Sequence, residues 1–118
     1  MQDVETNVFM SVMKVVRKYN PIISLEFHMH GTVDPYLYLQ DAIRDVIYFE
    51  SSRGPDSVVI EMADSELSLV IGSTYSVEVT DLQIMLAVLN KNGNVIWINS
   101  AGLPMEAIKE ARKCMKGA

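Results

Sequence analysis

Hydrophobic residues recur every three to four positions over residues 3–19, which is the spacing of one face of a helix. Acidic residues stand at the start of this segment and basic residues at its end, as the helix dipole favours. Asn20 and Pro21 follow, and the residue before a proline avoids helical backbone angles. The pattern therefore predicts a helix over residues 3–19 whose apolar side is formed by Val4, Val8, Val12, Val15, Val16 and Tyr19.

The next segment, IISLEFHMH at residues 22–30, alternates between apolar and polar residues. Alternation with a period of two is typical of a strand that has one buried face. Ile23, Leu25, Phe27 and Met29 would share the buried face, and Ser24, Glu26, His28 and His30 the other.

Residues 34–52 return to a helical pattern. Asp34 is a suitable N-cap, and Pro35 would occupy the first helical position, where its missing N–H costs nothing. We expect a second helix here that buries Tyr36, Leu39, Ile43, Val46 and Ile47.

The second half of the chain has the composition of short strands. SVVIEMA, ELSLVI and TYSVEV are rich in β-branched and aromatic residues, and DS and GS separate them as turns. Residues 82–89 allow two interpretations. Leu82, Met85, Leu86 and Leu89 have helical spacing after a capping box at Thr80 and Gln83, whereas LNKNGNVIW is typical of a hairpin with a turn at Asn90 to Gly93. We favour the hairpin, followed by the strand VIWINS and a closing helix in LPMEAIKEARKCMKG.

These elements predict an α+β fold: a single, mostly antiparallel sheet of about five to six strands, packed by N-terminal, middle and C-terminal helices. If residues 82–89 are helical instead, strands and helices alternate over the second half. The order GTVD, helix, SVVIEM, helix, NVIWINS, helix is then similar to a STAS (anti-anti-sigma) domain. That resemblance implies a layered α/β sheet and a regulator that acts through Ser73, although the aspartate that precedes the serine in that family is missing here.

The bulk composition predicts one globular domain over residues 1–118. The chain has 49% hydrophobic and 21% charged residues, and this length buries enough surface without a disulfide or a structural metal. The single cysteine, Cys114, suits a reducing compartment, and neither a membrane helix nor a signal sequence is evident. We therefore expect a cytoplasmic protein that is not embedded in a membrane.

Charge is distributed unevenly along the chain. Residues 34–81 hold ten acidic residues against two arginines, a net −8, whereas residues 82–118 carry five bases against two acids, a net +3. An acidic centre repels phosphate backbones, which argues against nucleic acid as a partner. It suits a basic protein partner or the basic tail of a second copy.

The only two histidines give the clearest candidate for chemistry. Side chains two residues apart on a strand are separated by about 6.5–7 Å, so His28 and His30 could share a divalent metal, with Glu26 or Asp34 as a third ligand. The alternative is a solvated strand face without a ligand. No other cofactor is indicated.

Catalysis has little support otherwise. The chain has no G-x-S-x-G, P-loop or G-x-G-x-x-G motif. Arg112 and Lys113 beside Cys114 could lower the pKa of its thiol, but its spacing from Ala107 and Ala111 indicates a packed helix face.

An interaction surface is the alternative. Phe9, Met10 and Met13 widen the apolar face of the first helix beyond one packing contact, and Asp41 and Asp45 would form an acidic face on the second. We therefore expect a small acidic, non-catalytic interaction module of inhibitor, immunity or adaptor type that self-associates. A domain that binds a metal or small ligand through Glu26, His28 and His30 is the alternative function.

Overall fold

A computed structural model describes residues 1–50, 52–53, 57–70 and 73–116 of the chain. The elements in these residues are strand β1 (Gln2–Val4), helix α1 (Thr6–Tyr19), strands β2 (Ile22–His28), β3 (Leu37–Phe49), β4 (Ser57–Met62), β5 (Glu66–Val70), β6 (Thr74–Val79), β7 (Gln83–Leu89) and β8 (Val95–Ala101), and helix α2 (Met105–Lys116). None of the helices in this part of the chain is long and apolar enough to cross a membrane.

The strands form one antiparallel sheet, which confirms the α+β class. Its order within the described residues is β1-β6-β7-β8-β2-β3-β4-β5. The expected five to six strands were too few because two segments assigned to helices are strands. Residues 2–4 pair with β6 as β1, so the first helix begins at Thr6 rather than at residue 3.

The second of these segments was predicted to be the middle helix. That prediction is wrong, because residues 37–49 form β3, the longest strand of the described residues. A β-bulge explains the misleading pattern, since the pairing of β3 with β4 shifts register between Ile43 and Asp45. An extra residue in a strand changes the phase of its alternation. The buried residues Ile43 and Val46 therefore lie three positions apart, as they would in a helix. Tyr36 and Leu39, expected in the core, are 61% and 36% exposed, and Ile47 is 37% exposed.

Strand β7 (Gln83–Leu89) occupies nearly all of the disputed segment at residues 82–89, as favoured. β7 and β8 pair antiparallel, and the amide of Gly93 donates to the carbonyl of Asn90 at 3.1 Å in the turn that joins them. Gly93 has φ +85°, a backbone angle that glycine adopts without steric cost. The STAS-like α/β alternative is therefore wrong, because it requires a helix here.

Both helices pack on one face of the sheet. α1 buries Val8, Phe9, Val12, Met13, Val15 and Val16, and α2 buries Ala107, Ile108 and Ala111. They meet the inward residues of the central strands, among them Leu25, Leu86 and Ile98. The ring of Phe9 lies 4.6 Å from that of Tyr75 on β6, centroid to centroid. Neither helix of the described residues covers the opposite sheet face, which we call the outer face.

Candidate functional site

The predicted histidine site divides between a strand and a turn. Glu26 and His28 lie on the outer face of β2, half-buried, with Glu26 flanked by Tyr38 of β3 and Trp97 of β8. His30 lies beyond the end of the strand, where its amide donates to Oδ1 of Asn94 at 3.0 Å. Its ring packs against Gly93, so closely that a Cβ on that glycine would overlap it.

The structure thus gives His30 a contact with the β7–β8 turn. In the parts of the chain that the structure describes, no three His, Cys, Asp or Glu side chains form a group that could hold a metal ion. The arrangement offers hydrogen-bonding groups on a sheet face, and metal binding through Glu26, His28 and His30 stays a prediction.

The three candidate interface residues of α1 lie in different environments. Phe9 and Met13 are fully buried. They belong to the core and cannot form an exposed surface, which corrects that assignment. Their buried position follows from the sheet, which contacts α1 through both β3 and β6. Met10 is half-buried at the border of the core.

A row of three acidic residues crosses the sheet from β3 to β5. Asp45 lies directly opposite Glu61 on β4, and Glu61 lies directly opposite Glu66 on β5. Directly opposed residues of antiparallel strands have Cβ atoms about 4.5–5.5 Å apart, and like charges there destabilise a sheet. Arg17 of α1 reaches one end of the row, with its Nη1 3.5 Å from Oδ1 of Asp45. We call Asp45, Glu61 and Glu66 the acidic row.

Asp41, the other acidic candidate, organises the turn between β4 and β5. The amide of Ala42 donates to Oδ1 at 2.7 Å, and the amide of Asp64 and the hydroxyl of Ser65 each donate to Oδ2 at 3.1 Å. Hydrogen bonds that favour the ionised form, first that of Ala42, hold the pKa of Asp41 below its ordinary value. Asp41 and Asp45 do not share a helix face, since both lie on β3.

Replacing Asp41 by Asn should destabilise the protein in a pH-dependent manner. A carboxylate whose pKa is lowered by folding contributes stability that is complete above its ordinary pKa, 3.8 for Asp41, and is lost as the pH falls through the folded pKa. We expect Asp41→Asn to lower the urea midpoint at pH 7 and to approach wild type at an acidic pH below the folded pKa of the carboxyl. Asp34→Asn, at an exposed position, is the control and should leave the profile unchanged. An equal deficit at both pH values would contradict this role for Asp41.

The structure does not support the hypotheses of a reactive thiol at Cys114 and a regulatory role for Ser73. Cys114 is half-buried, and burial, followed by the charge of Glu110, raises the pKa of its thiol instead of lowering it. Ser73 lies in a cleft with Ser68 and Leu69 of β5 and with residues of the β7–β8 hairpin. Its predicted regulatory role depended on the STAS-like order, which the sheet does not have.

The acidic row, and the extension of the outer face to Tyr38 and Trp97, went unrecognised in the sequence. Both depend on register: Glu61 and Glu66 become neighbours only once β4 and β5 pair. The outer face also carries Trp97, half-buried, and Tyr38, 56% exposed. The alternation in VIWINS already places Trp97 opposite the core, and this signal could have marked the face.

No protein-family model, no curated protein and no solved structure matches the chain.

Proposed function

We propose that this protein is a small, non-catalytic interaction module that self-associates and binds a basic partner, as cytoplasmic proteins of inhibitor, immunity or adaptor type do. The observation that carries the proposal is the acidic row. Placing like charges side by side costs stability, and a cationic group docked on them would offset that cost.

The charge of the surrounding surface supports the same partner. Asp41 and Asp64 lie at the turn beside the row, and Arg17 forms an ion pair with Asp45 at the other end of the row. Charge complementarity of this kind steers association and selects partners. A lysine- or arginine-rich segment lying across β3, β4 and β5 would meet the three carboxylates in turn.

Neutralising the row should stabilise the protein and weaken binding of a basic partner. We expect the double variant Glu61→Gln, Glu66→Gln to raise the free energy of unfolding by a few tenths of a kcal/mol, up to ~1, because it removes the two like-charge pairs. Urea denaturation measures the gain, which should shrink as salt screens the charges. Isothermal titration with a short lysine-rich peptide should show weaker binding in the same variant.

The control is Glu78→Gln, Glu106→Gln, which removes the same number of charges at two exposed positions outside the row. It should bind the peptide as wild type does apart from a small uniform effect of net charge. If both double variants lose binding equally, the peptide responds only to net charge, and the row is not a docking surface.

The metal-binding alternative has its own test. If Glu26, His28 and His30 hold a divalent ion, His28→Gln, His30→Gln should lose the metal that the wild-type protein retains after purification without a chelator, as measured by plasma mass spectrometry. Equal metal content in both proteins would reject it.

A further inference from the structure

The first half of β3 is an open edge of the sheet. β2 pairs with residues 37–42 on one side, but β4 pairs with β3 only from Ile43 onward. No strand of the described residues lies on the other side of Leu37 to Asp41. The β4–β5 turn covers the next position, where the amide of Ala63 donates to the carbonyl of Ala42 at 2.9 Å.

Two hydrogen bonds fix the direction of the backbone groups along this edge. The amide of Ile43 donates to the carbonyl of Pro21 at 2.9 Å, towards β2, whereas the carbonyl of Ala42 points to the opposite side. Because the direction alternates along an antiparallel strand, the amides and carbonyls of Tyr38 and Gln40 face the open edge. No backbone group of the described residues pairs with them on that side, and such groups can accept another strand.

The side chains around these groups do not protect the edge. Tyr36, Leu37, Tyr38 and Leu39 are 61%, 44%, 56% and 36% exposed, and residues 35–40 carry no charge. Exposed edges are usually blunted by charge, by a bulge or by shortness. The other two ends of the sheet are blunted, since β1 has three residues and β5 carries Glu66.

We propose that the open edge of β3 pairs antiparallel with the same edge of a second copy, around a two-fold axis at Tyr38. This inference rests on the self-association in the proposed function and names its interface. A second copy fits because residues 35–40 carry no charge, so two copies can approach each other there although each chain has a net charge of −5. A basic partner would gain nothing from this uncharged stretch.

The register follows from chemical self-complementarity. With Tyr38 opposite Tyr38 of the second copy, Leu37 meets Leu39, Tyr36 meets Gln40, and Asp41 falls opposite Pro35 at the margin. The outward amide and carbonyl of Tyr38 then pair with those of Tyr38 in the second copy, and the outward amide of Gln40 faces the backbone of Tyr36. Shifting the axis to Leu39 would place the Asp41 carboxylate against Leu37, which argues against that register.

The test compares two substitutions at one position. Proline at an edge strand removes an outward amide without touching the ladder on the other side, so Gln40→Pro should disrupt the dimer while the fold remains. Gln40→Ala keeps that amide and is the matched control. Sedimentation velocity should show a dimer for wild type and Gln40→Ala, and a dissociation constant raised by about tenfold or more for Gln40→Pro. Circular dichroism checks that each variant is folded.

Cross-linking tests the register independently of that variant. In a Cys114→Ser background, Tyr38→Cys should form a disulfide with the second copy under mild oxidation, whereas Glu78→Cys on β6 should not. A dimer that persists in Gln40→Pro, or one in which Tyr38→Cys does not cross-link, would overturn the edge interface while leaving self-association in place. A wild-type protein that is monomeric at every concentration would contradict both the edge interface and self-association. Binding of the lysine-rich peptide would then test the acidic row separately.

Discussion

Phe9→Ala should lower the free energy of unfolding by about 3–5 kcal/mol, the range for truncating a buried phenylalanine. The side chain is fully buried and its ring packs on that of Tyr75, so its loss leaves a cavity between α1 and β6. The free energy of unfolding of a small domain is about 5–15 kcal/mol, so the variant should retain only a small part of its stability. Urea denaturation followed by circular dichroism measures the change.

Met10→Ala is the control for this experiment. Met10 is adjacent in sequence but half-buried at the border of the core, so its truncation should cost clearly less. A Phe9→Ala protein that remains as stable as wild type but loses self-association would show that Phe9 forms an interface, as the sequence alone suggested, and would contradict its place in the core.

Gly93→Ala should destabilise the protein by about 1–2 kcal/mol from backbone strain alone, since φ +85° is unfavourable for any residue with a Cβ. A further loss should come from the contact with His30, because the added Cβ would overlap the imidazole ring. The turn between β7 and β8 joins two central strands, so the substitution should lower the free energy of global unfolding and not only that of the turn. The urea midpoint of the variant reports both contributions together.

Gly31→Ala separates these two contributions. Gly31 has φ +77°, yet a Cβ there would meet no atom within 4 Å, so only the backbone cost applies. Gly93→Ala should therefore be the more damaging, and His30→Ala in the Gly93→Ala background should restore stability towards the Gly31→Ala level. If the two glycine variants are equally stable, His30 does not pack on the turn and is free to serve as a ligand.

The elements that the sequence predicted well are those whose period is undisturbed. β2 alternates without interruption, and the β7–β8 hairpin has a glycine where the turn needs a positive φ. The helix predicted for the residues of β3 was wrong because the bulge places Ile43 and Val46 at helical spacing. A local pattern cannot reveal a register shift against another strand. β1 was not predicted because a strand of three residues is too short to show a periodic pattern of hydrophobic residues.

In the candidate site too, positions set by neighbouring residues in the sequence could be predicted, whereas positions set by distant residues could not. Alternation placed Glu26 and His28 on the face away from the core, where they are. It could not show that the strand ends before His30, whose position depends on Asn94 and Gly93, more than sixty residues away. The acidic row likewise depends on pairing, although the net −8 of residues 34–81 had indicated an acidic surface.

The sheet links the two proposed surfaces through one strand. The first half of β3 presents an uncharged edge, and beyond the bulge the same strand contributes Asp45 to the acidic row. The bulge thus separates a segment suited to a second copy from one suited to a basic partner. Pairing two copies at Tyr38 would place the two acidic rows of the dimer on opposite sides of the two-fold axis.

Native mass spectrometry of the protein mixed with the lysine-rich peptide tests the central claim most directly, since it reports subunit number and bound mass together. We predict a complex of two chains that carries peptide, and a bare two-chain complex for Glu61→Gln, Glu66→Gln. A single chain that binds no peptide would contradict the interaction module. A bound metal that disappears in His28→Gln, His30→Gln would favour the histidine site.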